Sequence, residues 1–82
     1  MIAEKVIVWD TKYGMVSSSL RKVLENKKMS VHLLCRLTGL KYDVVKKYYY
    51  NSIQRYDAEV VAKFCYVLDC AVSDLITYNP NS

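Results

Sequence analysis

A single glycine, Gly39, separates two short runs whose apolar residues each repeat at helical spacing, and this placement limits the fold more than any other feature of the chain. On its N-terminal side Ser30 is a good helix cap, because its hydroxyl can accept a hydrogen bond from an otherwise unpaired first-turn amide. Leu33, Leu34 and Leu37 follow at helical spacing and predict a helix running to about Thr38. Gly39 has no Cβ and can take the positive φ that lets the chain leave one helix and turn into the next. Beyond it, Leu40, Val44, Val45 and Tyr48 recur at spacings of four, one and three, which predicts a second helix from about Tyr42 to Tyr49. Its other side carries Tyr42, Asp43, Lys46 and Lys47.

Two helices joined by a short glycine-containing turn form a helix-turn-helix, whose second helix enters the DNA major groove in proteins that use it so. At these residues the chain resembles the Cro and phage-repressor (Xre-type) regulators, in the subgroup whose turn reads T-G-L-x-Y-x-x-V. Thr38, Gly39, Leu40, Tyr42 and Val45 match that turn. Asp57 to Tyr78 is similar to the family's closing segment, a helix ending in leucine, an acidic or amide residue and cysteine before a short S-D-L-I helix. The resemblance covers roughly Ser17 to Tyr78 and implies an all-α, five-helix Cro/repressor-like DNA-binding domain. It also implies that the segment after the recognition helix lies along the DNA backbone, which makes Asn51, Ser52 and Arg55 candidates for phosphate contacts. Ser30, Arg36 and Lys47 join them as backbone candidates, and Lys41, Tyr42, Asp43 and Lys46 are the candidates for base edges.

Two positions depart from the family pattern. Val31 stands where many members have a glutamine placed to touch a phosphate or a base. Asp43 puts a carboxylate on the presumed reading face, where it would repel phosphate but could accept a hydrogen bond from cytosine N4; its alternative role is first-turn stabilisation by the helix dipole. Tyr49 and Tyr50 are open to two readings, as phosphate donors through their hydroxyls or as half-buried rings.

Charge is sorted along the chain. Arg21 to Arg55 holds nine basic and two acidic residues, a net +7, whereas Tyr56 to Ser82 has one basic and four acidic, a net −3. A positive stretch centred on the helix-turn-helix is the footprint expected of a surface that displaces counterions from a nucleic acid backbone. The three cysteines, Cys35, Cys65 and Cys70, form no CxxC pair and suggest neither a disulfide framework nor a zinc site. The only histidine, His32, falls on the outer side of the first helix of the motif, where a solvated or phosphate-facing role is expected. No catalytic constellation or glycine-rich phosphate loop is visible, so no enzyme activity and no cofactor are expected, and no small-molecule ligand is evident.

Lys5 to Asp10 is short, β-branched and aromatic and predicts an N-terminal strand. The first helix of the domain begins near Ser17 to Ser19 and runs through Leu20, Val23 and Leu24 to about Lys27. Asp57 is expected to cap a fourth helix with Val61, Phe64, Cys65 and Leu68 inward, and Ser73 a short fifth one, with Tyr78 to Ser82 loosely held. No apolar run approaches the ~20 residues of a membrane span, and the N-terminus lacks the order of a signal peptide, which predicts a cytoplasmic protein without membrane contact.

The chain therefore divides into an N-terminal arm (1–16), a DNA-binding domain (17–78) and a loose C-terminus (79–82). The expected function is a sequence-specific, repressor-like DNA-binding regulator whose partner is double-stranded DNA. The alternative is a protein-interaction module of the same fold, such as an antitoxin or phage accessory protein. A homodimer is expected, because an unpaired apolar strand at Lys5 to Trp9 needs a partner and a second copy can supply it across a two-fold axis. The competing arrangement folds that strand back on Tyr13 to Val16 and leaves a monomer.

Overall fold

Several helix boundaries follow from local hydrogen bonds or left-handed residues that the sequence provides. The computed structural model describes residues 5–80, with the order β1 (Met15–Ser18), α1 (Leu20–Lys27), α2 (Val31–Thr38), α3 (Tyr42–Tyr49), α4 (Ala58–Leu68), α5 (Val72–Leu75) and β2 (Ile76–Asn79). Ser30 Oγ accepts from the Leu33 N–H at 3.0 Å and starts α2. Asp57 Oδ1 accepts from the Glu59 and Val60 N–H groups and starts α4. α1 and α4 end on left-handed residues, Lys28 and Asp69, which let the next amides bond back to the last turn. α3 ends in the same way at Asn51, φ 57°, where the Ser52 N–H reaches the Lys47 carbonyl at 2.9 Å.

The helices enclose one apolar core of Leu20, Leu24, Leu34, Val45, Tyr48, Val61, Phe64, Leu68 and Leu75. α4 contributes three of these, which fits its expected stripe, although Cys65 is only half-buried. Tyr48 packs edge-on against Phe64 (5.2 Å between ring centres) and Tyr56 (5.6 Å), and its hydroxyl accepts the Asp57 N–H at 3.0 Å. One buried ring thus joins the end of α3 to the start of α4.

The structure corrects the expected strand. Lys5 to Val8 has no regular structure, Trp9 and Asp10 lie in a turn, and Val6, Ile7, Val8 and Trp9 are exposed. The turn is closed by the Thr11 N–H on the Val8 carbonyl and the Val8 N–H on Thr11 Oγ1. Strand propensity alone does not make a strand, because the extended backbone needs a ladder partner. The strands that do form are β1 and β2, antiparallel, with Met15 opposite Asn79 and Ser18 opposite Ile76. Tyr78 and Asn79, expected to be loosely held, are therefore in β2, where the Tyr78 hydroxyl also donates to the Tyr13 carbonyl.

Two further expectations change. α5 begins at Val72 with Ala71 in the capping position, so Ser73 does not cap it; instead Asp74 Oδ2 reaches back to the Ala71 N–H at 2.9 Å, the carboxylate half of a capping box. Leu37 faces outward at 51% exposure, since α2 buries Leu34 fully and packs Val31 and Cys35 partly against the core, a stripe that leaves Leu37 outside.

Asn51 ties the end of α3 to the start of α1: its Oδ1 accepts the Ser18 N–H at 2.7 Å. Two comparisons test these ties in urea unfolding. Tyr48→Phe leaves the Asp57 N–H without its acceptor and is expected to cost ~1–2 kcal/mol, whereas Tyr56→Phe removes a buried hydroxyl that has no partner and is expected to be neutral or stabilising. Asn51→Ala loses both the hydrogen bond and an easy left-handed conformation, at ~1.5–3 kcal/mol, while Asn51→Gly keeps the conformation and should recover ~1 kcal/mol of that loss.

Candidate nucleic-acid interface

Thr38, Gly39 and Leu40 set the angle between α2 and α3 through the backbone. The Thr38 hydroxyl donates to the Leu34 carbonyl at 2.7 Å and accepts the Leu40 N–H at 3.3 Å. Gly39 sits at φ 76° and donates its N–H to the Cys35 carbonyl at 2.8 Å. A Cβ at Gly39 would meet no atom within 4 Å, so the left-handed backbone and not crowding is what favours glycine there. Cys35, half-buried beneath this turn, behaves as a small hydrophobe; burial pushes its thiol pKa up and keeps it protonated at neutral pH.

α3 then divides by face. Val45 and Tyr48 are buried, while Tyr42, Asp43, Lys46 and Lys47 are exposed. Lys41, in extended conformation, precedes the first turn without a side-chain cap, and its carbonyl accepts the Val44 and Val45 N–H groups. Asp43 lies in that first turn. The four base-edge candidates are all exposed, Lys41, Tyr42 and Asp43 at the start of the helix and Lys46 one turn further on, in its last turn. The backbone candidates are more dispersed. Arg36 is exposed in the last turn of α2, Lys47 flanks the α3 face, and Ser52 and Arg55 are exposed in the following loop. The Ser30 hydroxyl oxygen accepts as the α2 cap, and the Asn51 side-chain Oδ1 accepts from the Ser18 N–H, which leaves the Ser30 O–H and the Asn51 side-chain N–H groups as donors.

Among the described residues the ion pairs are Arg21–Glu25 and Lys63–Glu59, both i,i+4 on exposed helix faces. Arg36, Lys41, Lys46, Lys47 and Arg55 have no carboxylate partner among the described residues, so their charges add to one field. Arg21, whose pKa is raised by its hydrogen bond to Glu25 and then by Tyr49, lies 5.7 Å over the Tyr49 ring and brings α1 charge beside α3. Tyr49 is half-buried against the core and Tyr50 exposed, the two rings edge to face at 5.0 Å.

One contact escaped sequence reasoning. His32, in the first turn of α2, stacks on Tyr42 with ring centres 4.9 Å apart and planes 20° from parallel, and Lys46 Nζ stands 5.8 Å from the same ring centre. The two rings are ten positions apart across a turn, and no helical or strand period links them. Among the described residues no helix is long and apolar enough to cross a membrane, and no group of three or more His, Cys, Asp or Glu is placed to hold a metal ion.

With this geometry in view, comparison with known proteins gives a consistent result. The family model of the Cro/C1-type HTH DNA-binding domain matches residues 19–81. No curated protein matches the chain significantly. Among solved structures, the fold is similar to that of the transcriptional regulator VanUg, with a TM-score of 0.68 and 22% identity over 93% of this chain and 100% of that one. It is similar as well to a candidate DNA-binding protein from Bacteroides fragilis, with a TM-score of 0.68 and 19% identity over 77% of this chain and 100% of that one. The five helices, the glycine turn and the span of the family match agree, and the chain belongs to the Cro/C1-type helix-turn-helix DNA-binding domain family.

Proposed function

We propose that this protein is a sequence-specific, repressor-like transcriptional regulator, without chemistry of its own, that reads the DNA major groove with the exposed face of α3. The observation that carries this reading is the division of α3: Val45 and Tyr48 fix it to the core, while Tyr42, Asp43, Lys46 and Lys47 are exposed, and its cations have no carboxylate partner among the described residues. Lys41, Tyr42, Asp43 and Lys46 meet base edges. Ser30, Arg36, Lys47, Asn51, Ser52 and Arg55 meet the phosphate backbone and position the domain without reading sequence. The DNA-binding unit spans 17–78, and the residues before it form an arm. The site of action is the cytoplasm.

Regulators of this type gain affinity by doubling the site, with half-sites about 10 base pairs apart. The protein accordingly acts as a symmetric dimer, and the arm supplies the contact. Support comes from Val6, Ile7, Val8 and Trp9, four consecutive apolar residues that are all exposed, Trp9 at 99%. The same arm favours the second reading, a protein-interaction module without DNA specificity, and a shallow apolar groove between Leu37 and Tyr66 on α2 and α4 adds to it.

Titration against random duplex DNA at two salt concentrations separates the two readings. Steep loss of affinity with salt is expected for DNA binding, and absent binding would end the regulator reading. On a selected duplex, Lys46→Ala should relax preference at one base pair at a cost of ~1–3 kcal/mol, whereas Arg55→Ala should weaken all sequences alike. An unchanged selected motif for Lys46→Ala would remove that residue from base reading. Light scattering on the full chain should give a dimer mass, converted to monomer by the double change Val8→Ser and Trp9→Ser; a monomeric wild type at tens of micromolar would refute the dimer.

A further inference from the structure

The stack of His32 on Tyr42 joins the first turn of α2 to the first turn of α3 at the outer surface, away from the apolar core that holds both helices. A tyrosine at the start of a helix projects back towards the helix N-terminus, where the helix itself offers little to pack against, so its ring would otherwise sample several rotamers. Tyr42 is instead met by a second flat ring on a neighbouring element at 4.9 Å, and Lys46 is drawn towards the same ring, one turn further along α3. Two of the four base-edge candidates therefore depend on one contact. Resting on the DNA-reading function proposed above, the geometry points to His32 as a positioning residue for base readout: it fixes the Tyr42 ring, and through it Lys46, in the orientation presented to the groove.

The competing role is a direct one, in which an imidazole N–H donates to a phosphate. The two differ in what they require of the side chain. Stacking needs a flat ring, which phenylalanine supplies; a phosphate contact needs a donor, which phenylalanine lacks. They also differ in what DNA would report. A positioning residue changes which base pair is preferred, whereas a phosphate contact changes affinity for all sequences.

Selection of bound sequences from a random duplex pool, followed by titration of the preferred duplex at two salt concentrations, decides between them with the full-length wild type, His32→Ala, His32→Phe, Tyr42→Ala and the double alanine variant. His32 is exposed, and thermal unfolding of each variant checks that the fold is kept. His32→Ala is expected to relax preference at the same base pair as Tyr42→Ala, to lose about 2- to 10-fold in affinity for the preferred duplex, the scale of one aromatic pair, and to add no further loss in the double variant. His32→Phe should retain the wild-type motif. The proposal is overturned if His32→Phe is as weak as His32→Ala on all sequences, if losses in the double variant add, or if His32→Ala selects the wild-type motif unchanged. A wild type that selects no motif overturns base reading itself, and the role of His32 falls with it; a wild type with a motif that His32→Ala leaves intact overturns the positioning role alone.

Discussion

α3 stands on Tyr48. An eight-residue helix in water is short of the length at which helices hold themselves, and α3 starts at Lys41 without a side-chain cap, so its order depends on what it packs against. Tyr48 supplies that packing at the last turn, buried between Phe64 and Tyr56 with its hydroxyl on the amide of the residue that caps α4. Val45, one turn earlier, continues the same seam. A buried tyrosine is favourable only when its hydroxyl finds a partner, and here the partner is a structural amide, so the polar atom strengthens the joint between α3 and α4.

From this anchor the rest of the surface follows. The Thr38 hydroxyl bridges the end of α2 and the Leu40 amide, and the left-handed Gly39 turns the chain, so the N-terminal end of α3 emerges at one angle to α2. Asn51 fastens the other end of α3 to the β1–α1 junction. The pairing of β1 with β2 closes the domain by bringing the Ser19 N–H onto the Leu75 carbonyl at 2.7 Å. Lys41, Lys46 and Lys47 are thereby held on the surface of a rigid unit, which is what a site that discriminates between base edges requires.

Local chemistry makes most of this legible in the sequence. Ser30 and Asp57 announce caps, Gly39 announces a turn, and the 3.6-residue period separates Val45 and Tyr48 from Tyr42 and Lys46. What escapes is whatever depends on partners distant in the chain. Met15–Ser18 and Ile76–Asn79 are four residues each, too short to display an alternating period, and they pair across most of the chain. Lys5 to Trp9 has the composition of a strand and none of the pairing, since among the described residues the sheet consists of β1 and β2 alone. Leu37 satisfies the helical period yet faces solvent, since α2 is covered on a narrower stripe than the spacing of its leucines allows. The His32–Tyr42 stack links the two helices across the turn, and only the three-dimensional arrangement reveals it.

The division of α3 into an anchored side and a DNA-reading side is the central claim, and amide chemical-shift mapping of the full-length protein against a selected duplex tests it most directly. The largest changes are expected at 41–47, with a second group in the first turn of α2 and at 51–55, while the outer face of α4 around Tyr66 stays unmoved. Changes concentrated at Leu37 and Tyr66, or none at 41–47 under saturating duplex, would contradict it.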